Sequence, residues 1–321
     1  MSFQCRQADW CECGSSLFPD LLSAEPDTRR RLDRAIFRAA FESEDTPSAL
    51  YHFWLNAIVI PYSNKKLTRM SDRLPAVSAL AQKFRLKLDE KYLAGLWEND
   101  LICGLSWALD TKNCEEDHRD MSDRAPSWSW ASVEGPVKFG FINETNDRPR
   151  NPNLRLRFGE CVISPRGFNS TGEVESGTLN AVGPCLICFL SLEGQERGAA
   201  FEFIPLLPGF ENAVLSSRVV ADQLELDTAL QEVEIHENDG STTSSLQRCK
   251  FDNQEPVGGV VFCLLFYQLR QNEAFIREFL VLGRDPSGPN NYKRLGKLVL
   301  LSDESPPPWF GEFPESWFAL V

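Results

Sequence analysis

The sequence predicts an α+β protein in which an N-terminal helical segment packs on a C-terminal, antiparallel β-rich sandwich or open barrel. Three observations lead there. Apolar residues recur at helical spacing through about residue 125. After Pro126, short β-favouring runs alternate with Gly, Pro and Asn turns. The 321 residues are 42% hydrophobic and 25% charged, the balance of an ordinary globular chain long enough for roughly two domains.

The elements follow in order. Pro26 suits a first helical turn, and Leu32, Ile36, Phe37, Ala40 and Phe41 form one apolar stripe behind it. Thr46-Pro47 is an N-cap and N1 pair, opening a helix with Leu50, Phe53, Trp54, Ala57 and Ile58 that is expected to stop before Pro61. A third helix starts near Pro75, with Asp72 as its cap, and carries Val77, Leu80, Ala81, Phe84 and Leu88. A fourth is predicted over roughly Lys91–Leu109. Beyond Pro126 the predicted strands are Arg155–Ile163, Gly177–Leu190, Ala199–Pro205, Arg218–Leu226, Glu232–His236, Gly259–Leu269, Arg277–Gly283 and Leu295–Leu301. The tail with Trp309, Phe310, Phe313, Trp317 and Phe318 is too apolar for a free end and is expected to pack back. The division is thus a helical region at 26–125 and a β-rich region at 126–321, fused through Trp128–Trp130 into one body.

Composition excludes several functions. Lys+Arg 33 against Asp+Glu 46 leaves a net charge of −13, which repels phosphate backbones, so no nucleic-acid partner is expected. The longest apolar run, Val260–Tyr267, is strand length, so no membrane span is expected. The N-terminus lacks a basic region followed by an apolar one, and ten cysteines are too few for a disulfide scaffold. The chain therefore reads as intracellular and cytoplasmic with reduced thiols, and the sequons Asn143-Glu144-Thr145 and Asn169-Ser170-Thr171 carry no glycan.

No nucleotide-binding, zinc-protease or serine-hydrolase motif is present, and the three histidines are His52, His118 and His236. His118-Arg119-Asp120 imitates a kinase catalytic loop, but Ala125 stands where the metal-holding Asn is needed. Cys5, Cys11 and Cys13 lack paired-knuckle spacing and a nearby fourth ligand. Cys185 and Cys188, three apart in a strand, point to opposite faces. Seven carboxylates between Ala221 and Gly240, without Ca²⁺-loop spacing, read as the solvated face of an edge strand. No catalytic residue, cofactor or metal is expected.

The aromatic strings are more specific. Tyr62-Ser63-Asn64-Lys65-Lys66-Leu67-Thr68 is followed by Asp72-Arg73-Leu74-Pro75-Ala76-Val77-Ser78-Ala79-Leu80-Ala81. Then come Tyr92-Leu93-Ala94-Gly95-Leu96-Trp97, Trp107, and Arg124-Ala125-Pro126-Ser127-Trp128-Ser129-Trp130-Ala131-Ser132. On the residues alone, the tryptophans are apolar anchors whose N–H groups need partners. They weld helices to the β body, or else line an aromatic pocket with Asp72, Arg73 and Arg124 as its polar groups. Trp128 and Trp130 share parity and would share one face of an extended segment. The candidate junction is Tyr62, Asp72, Arg73, Trp97, Trp107, Arg124, Trp128 and Trp130.

In this order the strings resemble the C-terminal half of fungal heterokaryon-incompatibility (HET) domain proteins, strongly from Trp54 to Ser132 and diffusely beyond. Gly177-Thr178-Leu179 and Tyr292-Lys293-Arg294-Leu295-Gly296 are similar to weaker late motifs. Phe3-Gln4-Cys5-Arg6 with Cys11-Glu12 looks like the end of a HET domain, which makes residues 1–25 its tail, with the core missing. The family's Ser-Tyr-Cys-Trp-Gly string occurs nowhere here. The resemblance implies a fragment-like accessory half in non-self recognition and programmed cell death, without chemistry of its own, with protein partners or self-association. The alternative is a small-molecule or glycan-binding β-module.

Overall fold

The computed structural model describes residues 41–43, 46–110, 125–140 and 156–191, with strands at 2–4, 9–11, 201–205, 217–219, 224–226, 230–236, 242–248, 258–271, 274–302 and 315–321. Near the N-terminus, β1 (Ser2–Gln4) pairs antiparallel with β2 (Asp9–Cys11). The stripe from Pro26 to Ala40 and the side chains of Cys5, Cys11 and Cys13 lie outside the described residues.

Thr46 caps the next helix as expected, its hydroxyl oxygen accepting the Ala49 N–H at 3.3 Å with Pro47 in the first turn. The predicted stop before Pro61 is corrected. α1 (Pro47–Phe53) runs into a π-helical turn, Trp54–Val59, and on into α2 (Ile60–Ser63), which contains Pro61. The Ile60 N–H bonds Leu55 O, an i to i−5 step. Proline offers no N–H to the ladder, and the widened turn shifts the pairing so that the missing donor falls at the join.

α3 (Arg73–Leu88) buries Leu74, Val77, Ala81 and Phe84 and ends on Asp89 in the left-handed region. Asp72 occupies its N-cap position, but the side chain makes no capping bond and is exposed. The predicted fourth helix is replaced by a hairpin, β3 (Tyr92–Leu93) with β4 (Leu96–Trp97), then α4 (Leu101–Leu105) and β5 (Trp107–Leu109). Ala94 and Gly95 both have positive φ, and such a pair makes a tight hairpin turn that breaks the helical periodicity. β5 pairs with β6 (Val137–Phe139).

The remainder is strand: β7 (Arg157–Pro165), β8 (Val174–Ser191), β9 (Phe201–Pro205), β10 (Ser217–Val219), β11 (Leu224–Leu226), β12 (Leu230–His236), β13 (Thr242–Arg248), β14 (Gly258–Gln271), β15 (Ala274–Arg284), β16 (Asn291–Ser302) and β17 (Glu315–Leu320). Where the sequence predicts one strand over Arg218–Leu226 there are two short ones, and the apolar tail supplies β17. The pairings β8–β14, β14–β15, β15–β16, β16–β17 and β17–β8 close a ring of five strands, in place of the sandwich or open barrel expected. Closure pairs both edges of these five strands, while the sheet runs on from β8 to β10 and from β14 to β12. β12, which carries part of the acidic stretch, stands at the end of the strand order, and its side chains lie outside the described residues. No helix among the described residues is long and apolar enough to cross a membrane.

One buried cluster joins the two regions, running from Leu50 and Trp54 through Trp97, Trp107, Trp128 and Trp130 to Leu280, Phe318 and Leu320. The β7–β8 turn adds a polar clasp on α3. The Ser78 and Thr171 hydroxyls lie 3.0 Å apart, Asn169 Nδ2 donates to Ser78 Oγ at 2.8 Å, and Arg85 donates to Ser170 Oγ at 3.0 Å. The sequon Asn169-Ser170-Thr171 therefore contributes to packing.

The candidate junction

The site is organised around one peptide carbonyl. The β3–β4 turn presents Gly95 O to two indoles, Trp54 Nε1 donating at 3.0 Å and Trp130 Nε1 at 3.1 Å. The preceding carbonyl, Ala94 O, accepts the Ser129 hydroxyl at 2.5 Å. Two segments separated in sequence, the π-helical turn at Trp54 and the Ser129-Trp130 pair, are thereby fastened to a two-residue turn. Gly95 is required there twice: its φ is +104°, and a Cβ would stand 2.5 Å from Trp130 Nε1.

Trp54 continues the cluster downward. Its ring meets Trp97 at 5.4 Å, Tyr92 at 5.9 Å and Phe84 at 5.2 Å, all edge-on. Burial pushes the Tyr92 hydroxyl well above its ordinary pKa, with a smaller push from Tyr62. On the other side, Tyr62 meets Trp130 edge-on at 6.2 Å and donates its hydroxyl to Arg73 O at 3.0 Å. Its pKa is raised to about 12, chiefly by burial, against the opposing charge of Arg73. Arg73 is 3% exposed, donates to Gly135 O at 3.1 Å and holds its guanidinium 5.5 Å from the Trp130 ring centre.

A second half lies against the strands. Trp107 Nε1 donates to Trp128 O at 2.9 Å. Arg294, fully buried on β16, donates to Leu105 O at 2.8 Å and to Trp107 O, with its guanidinium 3.6 Å from the Trp107 ring centre. The Arg294 backbone N–H donates to Ser127 Oγ at 3.0 Å. Ser127 in turn donates its N–H and its hydroxyl to Val321 O.

Of the eight residues predicted from sequence, six are placed in this assembly: Tyr62, Arg73, Trp97, Trp107, Trp128 and Trp130. Asp72 is exposed beside it and contributes no capping bond. Arg124 lies outside the described residues. Trp128 and Trp130 do not form an extended segment; Trp128 sits in a turn and Trp130 begins a 3-10 turn ending at Ser132. Sequence reasoning missed Gly95, Ser127, Ser129 and Arg294 as parts of the site. The available signal was Arg294 itself, a cation inside an otherwise strand-like run.

Trp54, Trp97, Trp107, Trp128 and Trp130 are each at most 1% exposed, so these five side chains form a packed weld. The described residues contain no cluster of His, Cys, Asp and Glu able to hold a metal. Cys185 and Cys188 are both buried, and Cys263 on β14 approaches Cys188 closely enough for a thiol hydrogen bond, which with burial raises its pKa. Burial likewise raises the Cys185 thiol. Thiols held protonated in this way are poor nucleophiles.

No known protein family, curated protein or solved structure matches the chain.

Proposed function

We propose that this chain is the accessory, regulatory half of a HET-type incompatibility protein, acting inside the fungal cytoplasm in non-self recognition and programmed cell death through protein partners or self-association. One observation supports the reading. The strings that carry the resemblance are distant in sequence, yet Trp54, Trp130 and Ser129 all bind the Ala94-Gly95 turn. Convergence of that kind is what a packed scaffold requires, and buried indoles offer no nucleophile, acid or base. The chain would thus support or target a signalling unit.

The test is expression in a fungal host, alone and fused behind a HET unit. The chain alone leaves viability unchanged, and Gly95→Ala in the fusion changes the lethality of that unit. Death caused by the chain alone, or a fusion whose lethality ignores the presence of this half, overturns the proposal.

A second reading, a small-molecule or glycan-binding β-module, draws on a different observation. The Trp97 and Trp128 indole N–H groups and the Tyr92 hydroxyl are buried without a hydrogen-bond partner. A ligand screen by thermal shift separates the two. Saturable stabilisation lost in Trp128→Phe, which keeps an aromatic ring and removes the donor, favours binding.

A further inference from the structure

Among the described residues, the large apolar side chains most open to solvent are Phe168 and Leu86, 110% and 80% exposed. They belong to different elements, the β7–β8 turn and α3, and the polar clasp brings them to one side of the molecule. Asn169 accepts from Gln82 Nε2 at 3.2 Å and donates to Ser78 Oγ at 2.8 Å, and Ser170 accepts from Arg85 at 3.0 Å. At about 100° per residue, the circuit of α3 runs from its buried stripe to Ser78, Gln82 and Arg85 against the turn, then to Leu86, then to Lys83. Leu86 thus stands beside the turn that carries Phe168. The turn is tied down while its tip is left open. The Arg166 N–H bonds Glu173 O at 2.8 Å, and the Gly172 N–H bonds Asn169 O at 3.0 Å. A Cβ on Gly167, at φ +103°, would meet nothing within 4 Å. The fold therefore holds a phenyl ring outward on a convex tip, against the gain that burying it would bring.

The charge of this surface is opposite to that of the chain. Lys83, Arg85 and Arg166 are exposed around the two apolar tips, in a chain whose net charge is −13. Of the carboxylates that follow them, Glu173 is ion-paired with Arg166 at 3.0 Å, Glu175 lies further along β8, and Asp89 lies beyond the end of α3. Charges more than about 8 Å apart are largely screened at physiological ionic strength, so the local cations decide what approaches. We propose that Phe168 and Leu86 insert into the headgroup layer of an anionic bilayer, with Lys83, Arg85 and Arg166 meeting the lipid phosphates. Protruding apolar side chains ringed by cations suit that surface, because the ring reaches the acyl boundary while the charges stay among the headgroups. A convex tip also needs a partner that yields around it. A bilayer does so, whereas a folded acidic protein would need a cavity of matching shape. The proposal goes beyond the functional reading above and does not rest on it.

The test is co-sedimentation of the full-length chain with vesicles of phosphatidylcholine alone, or with roughly 30 mol% phosphatidylserine added. The chain should partition more onto the anionic vesicles, the reverse of what its net charge alone would give. Phe168→Ser should lower that partition about tenfold, since the ring no longer leaves water. Lys83→Gln should lower it about fivefold, the usual weight of one cation at an anionic surface. Trp317→Ser removes another exposed aromatic, on β17, and should leave partition unchanged. Urea melts of each variant separate loss of binding from loss of fold. A chain that prefers neutral vesicles, or binds neither kind, overturns the proposal. So does a partition that ignores Phe168→Ser, or one that Trp317→Ser lowers equally. Binding to immobilised polyglutamate without binding to vesicles would assign the surface to an acidic protein and overturn it too.

Discussion

The guanidinium of Arg294 stands 3.6 Å from the centre of the Trp107 ring. The same side chain donates to Leu105 O and Trp107 O, so one buried cation satisfies the last carbonyl of α4 and a carbonyl of β5 while stacking on the latter's indole. The β16 strand is locked to the helical region at that point. Lysine cannot replace it, since an ammonium lacks the planar fork that reaches two carbonyls at once. Arg294→Lys is expected to cost about 2 to 3 kcal/mol in urea unfolding, with one carbonyl left unpaired in the core. A change under about 0.5 kcal/mol would mean the stack contributes nothing beyond packing.

Gly95→Ala should be the most damaging single methyl in the chain's first half. The added Cβ meets Trp130 Nε1 at 2.5 Å and the backbone stays at φ +104°. A loss of about 2 to 4 kcal/mol follows from overpacking and from the strained backbone together. Near-wild-type stability by chemical denaturation would show that the turn can relax away from the indoles.

The two helix caps should behave differently. Thr46 accepts the Ala49 N–H, and Thr46→Ala is expected to cost about 0.5 to 1 kcal/mol. Asp72 holds the cap position of α3 without a capping bond, so Asp72→Ala should fall within about 0.5 kcal/mol of wild type. Paired urea melts decide it, and equal losses would refute the distinction.

Alkaline pH should destabilise the protein through Tyr62. Its folded pKa is about 12, against an unfolded value near 10. The folded state therefore keeps its proton where the unfolded chain begins to lose it. Stability from this group is fully present below pH ~10 and is lost as pH rises from there through 12. Titration of the phenol absorbance should show a tyrosine ionising near pH 12 that disappears in Tyr62→Phe, while Tyr92, which burial holds protonated still further, does not contribute to that step. An ordinary phenol titration would contradict the buried placement.

Much of this molecule can be read along the chain, and the failures have physical causes. Thr46-Pro47 is local chemistry, and the cap forms as its side chain predicts. Cap geometry at Asp72 depends on the preceding 3-10 turn, which propensity does not contain. The apolar residues of 91–109 carry helical spacing, yet the Ala94-Gly95 turn makes a hairpin of Tyr92–Trp97 and leaves only Leu101–Leu105 as α-helix. Here a backbone conformation available to glycine overrides periodicity.

By itself the sequence determined the helix that Thr46-Pro47 opens, the helix that carries Val77, Ala81 and Phe84, the strand-rich chain beyond Pro126, the burial of Trp97, Trp107, Trp128 and Trp130, and the packing back of the tail at Phe318. These follow from side-chain size, polarity and period, which are properties of single residues and short windows. Only the tertiary structure decided that five strands close on themselves, that Gly95 O serves two indoles, and that Arg294 reaches across to Trp107. Each is a contact between residues far apart in the chain, and the free energy of such contacts depends on where the chain returns, which no local window encodes.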